Sequence, residues 1–134
     1  MEAKEIDKIA LISIKDGKIL STRSFGKDKY YIPGGKREDQ ETDEQTLARE
    51  IWEELMVRIV PESVNYVGTF TAQADGYKKR TTVKMTCYNA SFSGTPKASS
   101  EIEEVKWLQY VDRDRVSKVD QKIFDFLKSN GELQ

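Results

Sequence analysis

The stretch from Pro33 to Val57 constrains the fold and chemistry of this chain more than any other. It reads P-G-G-K-R-E-D-Q-E-T-D-E-Q-T-L-A-R-E-I-W-E-E-L-M-V and joins a glycine turn to a short acidic amphipathic helix. Glu50, Glu53 and Glu54 stand at positions i, i+3 and i+4, which are neighbours on one helix face. Like charges at this spacing destabilise an exposed helix by roughly 0.2–0.5 kcal/mol per pair. A divalent cation is the expected compensation for three such carboxylates.

Sequence signals at both ends of this segment define the predicted helix. Thr42 is a suitable N-cap, and Gln45 completes a capping box with it. Pro61 prevents any continuation of the helix. Arg49 precedes Glu53 by one helical turn and is expected to brace its carboxylate. The helical periodicity places five apolar side chains on one arc that we expect to be buried: Leu47, Ala48, Ile51, Trp52 and Leu55.

The composition describes a chain of 134 residues that is 37% hydrophobic and 34% charged, with a formal net charge of −1. This length fits one domain, and we predict a single domain over residues 1–134. The balance of charge argues against a DNA or RNA polymer or an anionic membrane as partner. No apolar run approaches ~18 residues, and the N-terminal M-E-A-K-E-I-D-K lacks the order of a signal peptide. We therefore expect a cytoplasmic protein.

The chain contains no histidine and one cysteine, Cys87. Histidine general bases, Ser-His-Asp triads and His-ligated zinc are therefore excluded, as are intrachain disulfides and cysteine-cluster metal sites. Cys87 lies in the alternating segment T-V-K-M-T-C-Y, which favours a strand position in the core over a nucleophile. Acid–base chemistry in this chain must come from Asp, Glu, Lys or Tyr side chains.

The order of strand and helix patterns predicts a mixed sheet with helices packed on it. Six segments predict strands by their apolar runs or alternation: Ile6–Ile14, Lys18–Ser24, Tyr30–Ile32, Val64–Thr71, Thr81–Phe92 and Glu101–Tyr110. The turn signals and the last helix are Asp16-Gly17, Ala74-Asp75-Gly76, Val119–Lys128 and the closing Asn130-Gly131. We expect an α+β fold, an α/β/α sandwich in which helices flank a mixed β-sheet.

The spacing of the acidic stretch resembles the Nudix box, G-x5-E-x7-R-E-U-x-E-E-x-G-U, where U is aliphatic. The matching positions are Gly35, Glu41, Arg49, Glu50, Ile51, Glu53, Glu54 and Val57. Met56 stands where the family has glycine, and a left-handed backbone there would cost about 1 kcal/mol. The segments Y-I-P-G-G-K and E-I-E-E-V-K-W-L also resemble MutT-like members.

The resemblance implies hydrolysis of a nucleoside diphosphate linked to another group, with Mg²⁺ or Mn²⁺ as cofactor. It implies that Glu53 and Glu54 hold metal directly and that Glu50 is a further ligand or the general base. The Gly34 carbonyl is a further candidate ligand, and Arg49 is an orienting partner of the catalytic carboxylates. Carboxylate oxygens are independently the hard ligands that these ions prefer.

Other residues carry two interpretations each. Outside the box, Glu101 is the first candidate for the base and Glu104 the second, although E-I-E-E also fits a solvated strand edge. Arg23 resembles a substrate-site arginine of MutT-like members. Lys36 and Arg37 follow the glycine turn as further phosphate candidates, and all three also fit surface charges. The segment Lys78-Lys79-Arg80 beside Tyr77 fits a charged hairpin tip better than a triphosphate or RNA contact. Tyr30 or Phe25 fits either base stacking or strand packing.

The leading expectation is a nucleoside-triphosphate pyrophosphohydrolase that releases monophosphate and pyrophosphate. A nucleoside diphosphate sugar such as ADP-ribose is the alternative substrate. A non-catalytic Nudix module that binds a nucleotide is a further alternative, which three clustered carboxylates argue against. The expected partner is a small nucleotide, and the pattern leaves monomer and homodimer open.

Overall fold

The computed structural model describes residues 4–74 and 80–134. The predicted turn at Asp75-Gly76 and the residues Tyr77, Lys78 and Lys79 lie outside the described residues. Ala74 is buried, and its N–H donates to the Thr81 carbonyl across 2.9 Å.

The described residues form nine strands, two α-helices and two short 3-10 helices. The strands are β1 (Lys4–Ile12), β2 (Ile14–Lys15), β3 (Lys18–Ser24), β4 (Gly34–Lys36), β5 (Arg58–Ile59), β6 (Asn65–Gln73), β7 (Thr81–Asn89), β8 (Phe92–Ser93) and β9 (Ile102–Leu108). The helices are α1 (Asp43–Leu55) and α2 (Lys118–Ser129), and the 3-10 turns are Pro61–Ser63 and Tyr110–Arg115.

The central sheet has the strand order β4-β1-β7-β6 and is mixed. Strand β1 pairs in parallel with β7, with Ile6 opposite Val83, and in antiparallel with β4, with Ile9 opposite Gly35. A second sheet has the order β2-β3-β9, and β5 pairs with β8. The predicted Asp16-Gly17 turn joins β2 to β3, and both of its residues have positive φ.

Strand β1 separates two hydrophobic clusters, because its successive side chains point to opposite faces. Ile9 and Leu11 pack in the cluster that contains the α1 residues Leu47, Ile51 and Leu55. Their neighbours Ala10 and Ile12 pack in the cluster that contains the α2 residues Ile123, Phe124 and Leu127. The helices therefore cover opposite faces of the central sheet, which confirms the predicted α+β fold.

Of the predicted strands, only Lys18–Ser24 has the same limits in the structure; Thr81–Phe92, for example, ends as β7 at Asn89, and two others also differ in their pairing. Tyr30 and Tyr31 form only isolated bridges, to Val116 and Thr22, and the strand that pairs with β1 is β4, three residues further on. Glycines at the first two positions of β4 let its backbone lie close to β1. The long predicted strand Ile6–Ile14 breaks at Ser13, whose carbonyl accepts from the Leu20 N–H instead of continuing the β1 ladder.

The buried side of α1 also differs from the prediction. Leu47, Ile51 and Leu55 are buried as expected, but Ala48 and Trp52 are exposed. Glu54 takes part in the buried side instead, because it faces the β4 backbone. The Arg58 guanidinium lies over the Trp52 ring, 4.4 Å from its centroid, and covers part of that side chain.

Cys87 is fully buried within the α2-side cluster, as its strand pattern indicated. Burial raises the pKa of its thiol to about 12, so the reactive thiolate is absent at neutral pH. Neither described helix is long and apolar enough to cross a membrane.

Candidate functional site

Helix α1 begins where its capping residues indicated, and it ends at Leu55, well before Pro61. The Thr42 hydroxyl accepts from the Gln45 N–H, and the Gln45 side chain accepts from the Thr42 N–H, which completes the predicted capping box. Met56 is the C-cap that follows the last helical residue, and its φ of 56° and ψ of 34° are left-handed. Methionine therefore adopts here the left-handed turn conformation that usually favours glycine.

The two glycines of β4 lie between β1 and α1. A side chain on Gly34, whose φ is +148°, would overlap the Ile9 carbonyl, and one on Gly35 would overlap the Glu50 carboxylate. The Gly34 N–H donates to Glu54 Oε1 across 3.1 Å. Glycine at both positions therefore permits the acidic face of α1 to rest directly on the β4 backbone.

A cavity of about 370 Å³ opens beside this contact. Its acidic wall consists of Glu50, Glu54 and Glu101, next to Gly34 and Gly35. Its other wall residues fall into three groups, namely the lysines Lys8, Lys27 and Lys36, the polar groups Thr22, Ser24, Ser117 and Asp120, and apolar side chains that include Ile6, Val83, Met85 and Val119. One cavity therefore combines carboxylates, cations and an apolar wall.

Burial and mutual repulsion raise the pKa values of two of these carboxylates. Desolvation raises the pKa of Glu54 to about 8, Glu50 and Glu101 add to the shift, and the Gly34 N–H opposes it. Desolvation also raises the pKa of Glu50, where Arg49 opposes the shift and Glu53 and Glu101 add to it. These carboxylates are close enough for the ionisation of one to disfavour that of the next.

The donor set fits a divalent cation by its chemistry. Within residues 4–74 and 80–134, no three acidic or cysteine side chains stand in an arrangement ready to hold an ion. Glu50 and Glu54 nevertheless face one cavity beside the Gly34 backbone, with pKa values that a cation would lower. Glu53 does not line the cavity. It is half-exposed, and its Oε1 lies 3.4 Å from Arg49 Nη1.

Arg49 connects α1 to the loop that precedes it. Its Nε and Nη2 reach the two Glu41 carboxylate oxygens across 2.7 and 3.0 Å, and its Nη2 also donates to the Lys36 carbonyl across 3.0 Å. Its Nη1 lies 3.2 Å from Glu50 Oε2. Arg49 thus makes the predicted contact with Glu53, but its bidentate partner is Glu41, a motif residue for which no role was predicted. The Arg49 side chain and the Glu38 N–H hold the pKa of Glu41 near 2.

Arg23 and Glu104 bind each other and their neighbours outside the cavity wall. Arg23 Nη1 lies 2.8 Å from Glu103 Oε1 and donates to the Lys27 carbonyl across 3.0 Å, while its Nε lies 3.4 Å from Glu104. Glu104 also accepts from the Tyr30 hydroxyl across 2.6 Å. Neither Arg23 nor Glu104 lines the cavity, whereas Glu101 and Lys36 do.

Of the other basic and aromatic candidates, Arg37 and Tyr30 already have partners within the protein, whereas Phe25 is exposed. Arg37 Nη1 forms an ion pair with Asp43 across 2.6 Å, so its charge is already compensated. Tyr30 is buried, with the guanidinium of Arg115 over its ring, which agrees with strand packing rather than base stacking. Phe25 remains 62% exposed in the loop after β3.

Asp120 is a cavity residue that the sequence did not single out. It is fully buried near the N-terminus of α2, and its Oδ2 accepts from the Ile32 N–H across 3.1 Å. The Ser117 hydroxyl caps this helix by accepting from the Asp120 N–H. Because Ser-x-x-Asp is an ordinary capping pattern, the sequence alone does not separate Asp120 from a surface capping residue.

Comparison with known proteins places the chain in a family. The sequence model of the NUDIX domain matches residues 7–127. A MutT-like protein from Streptomyces ambofaciens is 31% identical over 96 residues, which are 70% of this chain and 56% of the relative. An RNA pyrophosphohydrolase from Aeromonas hydrophila is 34% identical over 59 residues, which are 44% of this chain and 33% of the relative. The alignments thus span about half the length of the first relative and a third of the second.

Solved structures share the fold. The crystal structure of a MutT protein from Methanosarcina mazei Go1 superposes with a TM-score of 0.78 at 18% identity and covers 98% of both chains. At that level of identity the likeness describes the arrangement of strands and helices and not the substrate.

Proposed function

Because this chain belongs to the NUDIX domain family, we propose that it is a pyrophosphohydrolase that requires Mg²⁺ or Mn²⁺ and converts a nucleoside triphosphate to monophosphate and pyrophosphate. The observation that carries the proposal is the convergence of Glu50, Glu54 and Glu101 on one cavity beside Gly34 and Gly35. Carboxylates gathered in this way suit divalent cations that neutralise the charge of a phosphoric anhydride.

Each acidic residue has a proposed role. Glu50, Glu53, Glu54 and the Gly34 carbonyl would hold the metal, whose chemistry is to polarise phosphate oxygens and to lower the pKa of a bound water. Glu101 is exposed at the cavity and close to Glu54, so it is our candidate for the general base. Arg49 would orient Glu50 and Glu53 without touching the substrate, because its side chain is occupied by Glu41 and the Lys36 carbonyl.

The cavity also suits the nucleoside part of such a substrate. Its volume lies within the usual range for small-molecule sites, about 300–1,000 Å³. Apolar side chains such as Ile6, Val83 and Met85 offer a surface for a base, and Asp120 adds a buried polar group that could read the edge of that base.

A substrate panel with product identification tests the proposal. Nucleoside triphosphates with Mg²⁺ or Mn²⁺ should yield monophosphate and pyrophosphate. Glu53→Gln and Glu54→Gln should lower kcat by orders of magnitude with the fold retained, while the matched control Glu44→Gln, on the same helix but away from the cavity, should retain activity. Full activity in both Glu53→Gln and Glu54→Gln would refute the metal-site assignment, and no turnover of any phosphoric anhydride with either metal would refute the activity.

Two alternatives are tested with the same substrates, one by its products and the other by calorimetry. A nucleoside diphosphate sugar would yield two phosphomonoesters, and calorimetric binding without turnover would identify a nucleotide-binding module. The similarity to a protein named RNA pyrophosphohydrolase adds an oligonucleotide with a 5′-triphosphate to the panel. The cytoplasmic location and the choice between monomer and homodimer remain predictions, and light scattering coupled to gel filtration tests the second.

A further inference from the structure

Three lysines on the cavity wall lack the carboxylate partners that nearby arginines have. Arg23, Arg37 and Arg49 each form at least two ion pairs with Asp or Glu. Among residues 4–74 and 80–134, Lys8, Lys27 and Lys36 form no ion pair with a carboxylate. Their three charges therefore remain available to an anion in the cavity.

Strand pairing places two of these lysines side by side. Lys8 of β1 is directly opposite Lys36 of β4 in the antiparallel ladder, so both side chains project from the same face of the sheet. Like charges directly opposite each other destabilise an antiparallel pair. Lys8 Nζ lies 5.7 Å from the centroid of the Tyr31 ring, a contact that does not neutralise its charge.

The third lysine comes from a loop whose position is fixed. Lys27 follows β3, and its carbonyl accepts from Arg23 Nη1 across 3.0 Å. Its N–H donates to the Ser24 carbonyl, and the adjacent Phe25 N–H donates to the Glu101 carbonyl. These bonds hold the Lys27 loop beside the Glu101 loop, at the acidic part of the cavity.

Successive residues from Ile32 to Lys36 contact successive parts of the cavity wall. Ile32 contacts Asp120, Gly34 contacts Glu54, Gly35 lies against Glu50, and Lys36 faces Lys8. An extended segment of this length spans up to about 14 Å. The carboxylates thus lie between Asp120 at one end and the lysine pair at the other.

We infer that Lys8 and Lys27, together with Lys36, form a subsite for the terminal phosphate of a nucleoside triphosphate. The inference rests on the proposed function and names residues that would select a triphosphate at that site. A terminal phosphate carries about −1.5 to −2 charges at neutral pH, and a nucleoside diphosphate sugar has no terminal phosphate. The subsite therefore favours triphosphates over diphosphate sugars.

Charge-removing variants test the subsite, because methionine keeps the length of the lysine stem. Lys8→Met and Lys27→Met should each raise the KM for the nucleoside triphosphate by about ten-fold and change kcat much less. The KM for a nucleoside diphosphate sugar should change less than about two-fold. This substrate has no terminal phosphate, so it makes no charge-assisted hydrogen bond that the variants could lose. Lys18→Met, at the other end of β3, is the matched control and should match the wild type.

A binding measurement separates this inference from the proposed activity. Inorganic tripolyphosphate titrated calorimetrically in Mg²⁺ should bind the wild type and should bind either lysine variant about ten-fold more weakly. Wild-type turnover with unchanged KM and Kd in both variants would overturn the subsite but not the activity. An equal KM increase for the triphosphate and the diphosphate sugar would also overturn it, as would an absence of tripolyphosphate binding to the wild type. Absence of turnover with the predicted binding losses would instead refute only the activity.

Discussion

Glu54 is a carboxylate that folding removes almost completely from water. It is 6% exposed, and its pKa rises from 4.5 to about 8, chiefly by desolvation. Because the folded state holds this proton more tightly than the unfolded state, the contribution of Glu54 to stability is fully present below pH 4.5 and is lost as the pH rises through about 8.

The first prediction concerns this proton. Without metal, the free energy of unfolding of the wild type minus that of Glu54→Gln should fall by roughly 3–5 kcal/mol between pH 4 and 9. Urea unfolding at a series of pH values measures this difference. Saturating Mg²⁺ should flatten the curve, because a bound cation favours the ionised carboxylate. A wild-type curve parallel to that of Glu54→Gln in metal-free buffer would show that Glu54 does not titrate in this range.

The second prediction concerns Met56, which ends α1 in a left-handed conformation. Met56→Gly should raise the free energy of unfolding by about 0.5–1 kcal/mol, because glycine adopts positive φ without a Cβ penalty. Met56→Ala is the matched control: it keeps the Cβ atom and should give no such gain. Destabilisation by glycine in denaturant titrations would mean that the exposed methionine side chain stabilises this turn by more than the strain costs.

Sequence spacing identified residues whose roles depend on local geometry. Arg49, Glu50 and Glu54 lie within two turns of α1, beside Gly34 of β4, and regular spacing describes such a unit well. Asp120, Lys8 and Lys27 reach the same cavity from α2, β1 and a loop, so their proximity depends on the tertiary fold. No local pattern could have shown that Arg23 faces Glu103 and Glu104 instead of the cavity.

At the scale of elements, α1 was predictable because its apolar periodicity agrees with a capping box at Thr42 and Gln45, and α2 because its apolar periodicity agrees with the closing Asn130-Gly131. Strand β4 was not, because Gly-Gly-Lys carries no alternation and a three-residue strand exists only through its pairing with β1. The arc containing Ala48 and Trp52 was misassigned for a related reason. An apolar arc does not reveal that an acidic side chain will satisfy a backbone N–H beneath the helix.

The third prediction compares the two glycines of β4. Gly35→Ala should displace the Glu50 carboxylate and lower kcat by at least about ten-fold with modest loss of stability, because a flexible side chain can move. Gly34→Ala should instead lower the free energy of unfolding by several kcal/mol, roughly 3 or more, because its Cβ would meet the Ile9 backbone. Thermal unfolding and steady-state kinetics of both variants separate these effects.

Gly26→Ala is the reference for conformational strain alone. Gly26 has a φ of +77° and open space around its would-be side chain, so alanine there should cost only about 1 kcal/mol. If Gly34→Ala were no more destabilising than Gly26→Ala, the close contact between β4 and β1 would not be important for stability.

The fourth prediction belongs to the whole molecule. Mg²⁺ or Mn²⁺ at millimolar concentration should raise Tm by several degrees, since about 2.7 kcal/mol of stabilisation accompanies a ligand at 100 times its Kd. The shift should be absent in Glu54→Gln and retained in Glu44→Gln, measured by calorimetric scans at one pH. An equal shift in both variants would place the metal away from the α1 carboxylates.

The parallel pairing of β1 with β7 has a consequence for how the protein acquires its cavity during synthesis. Lys4 pairs with Thr81, so β1 has no partner in the central sheet except β4 until β7 has been made. Closing so long a loop is slow relative to forming α1 locally. The acidic helix can therefore form on the nascent chain well before the cavity wall exists. Nucleotide should accordingly protect from proteolysis only chains long enough to include α2, whose residues Val119 and Asp120 complete the cavity wall.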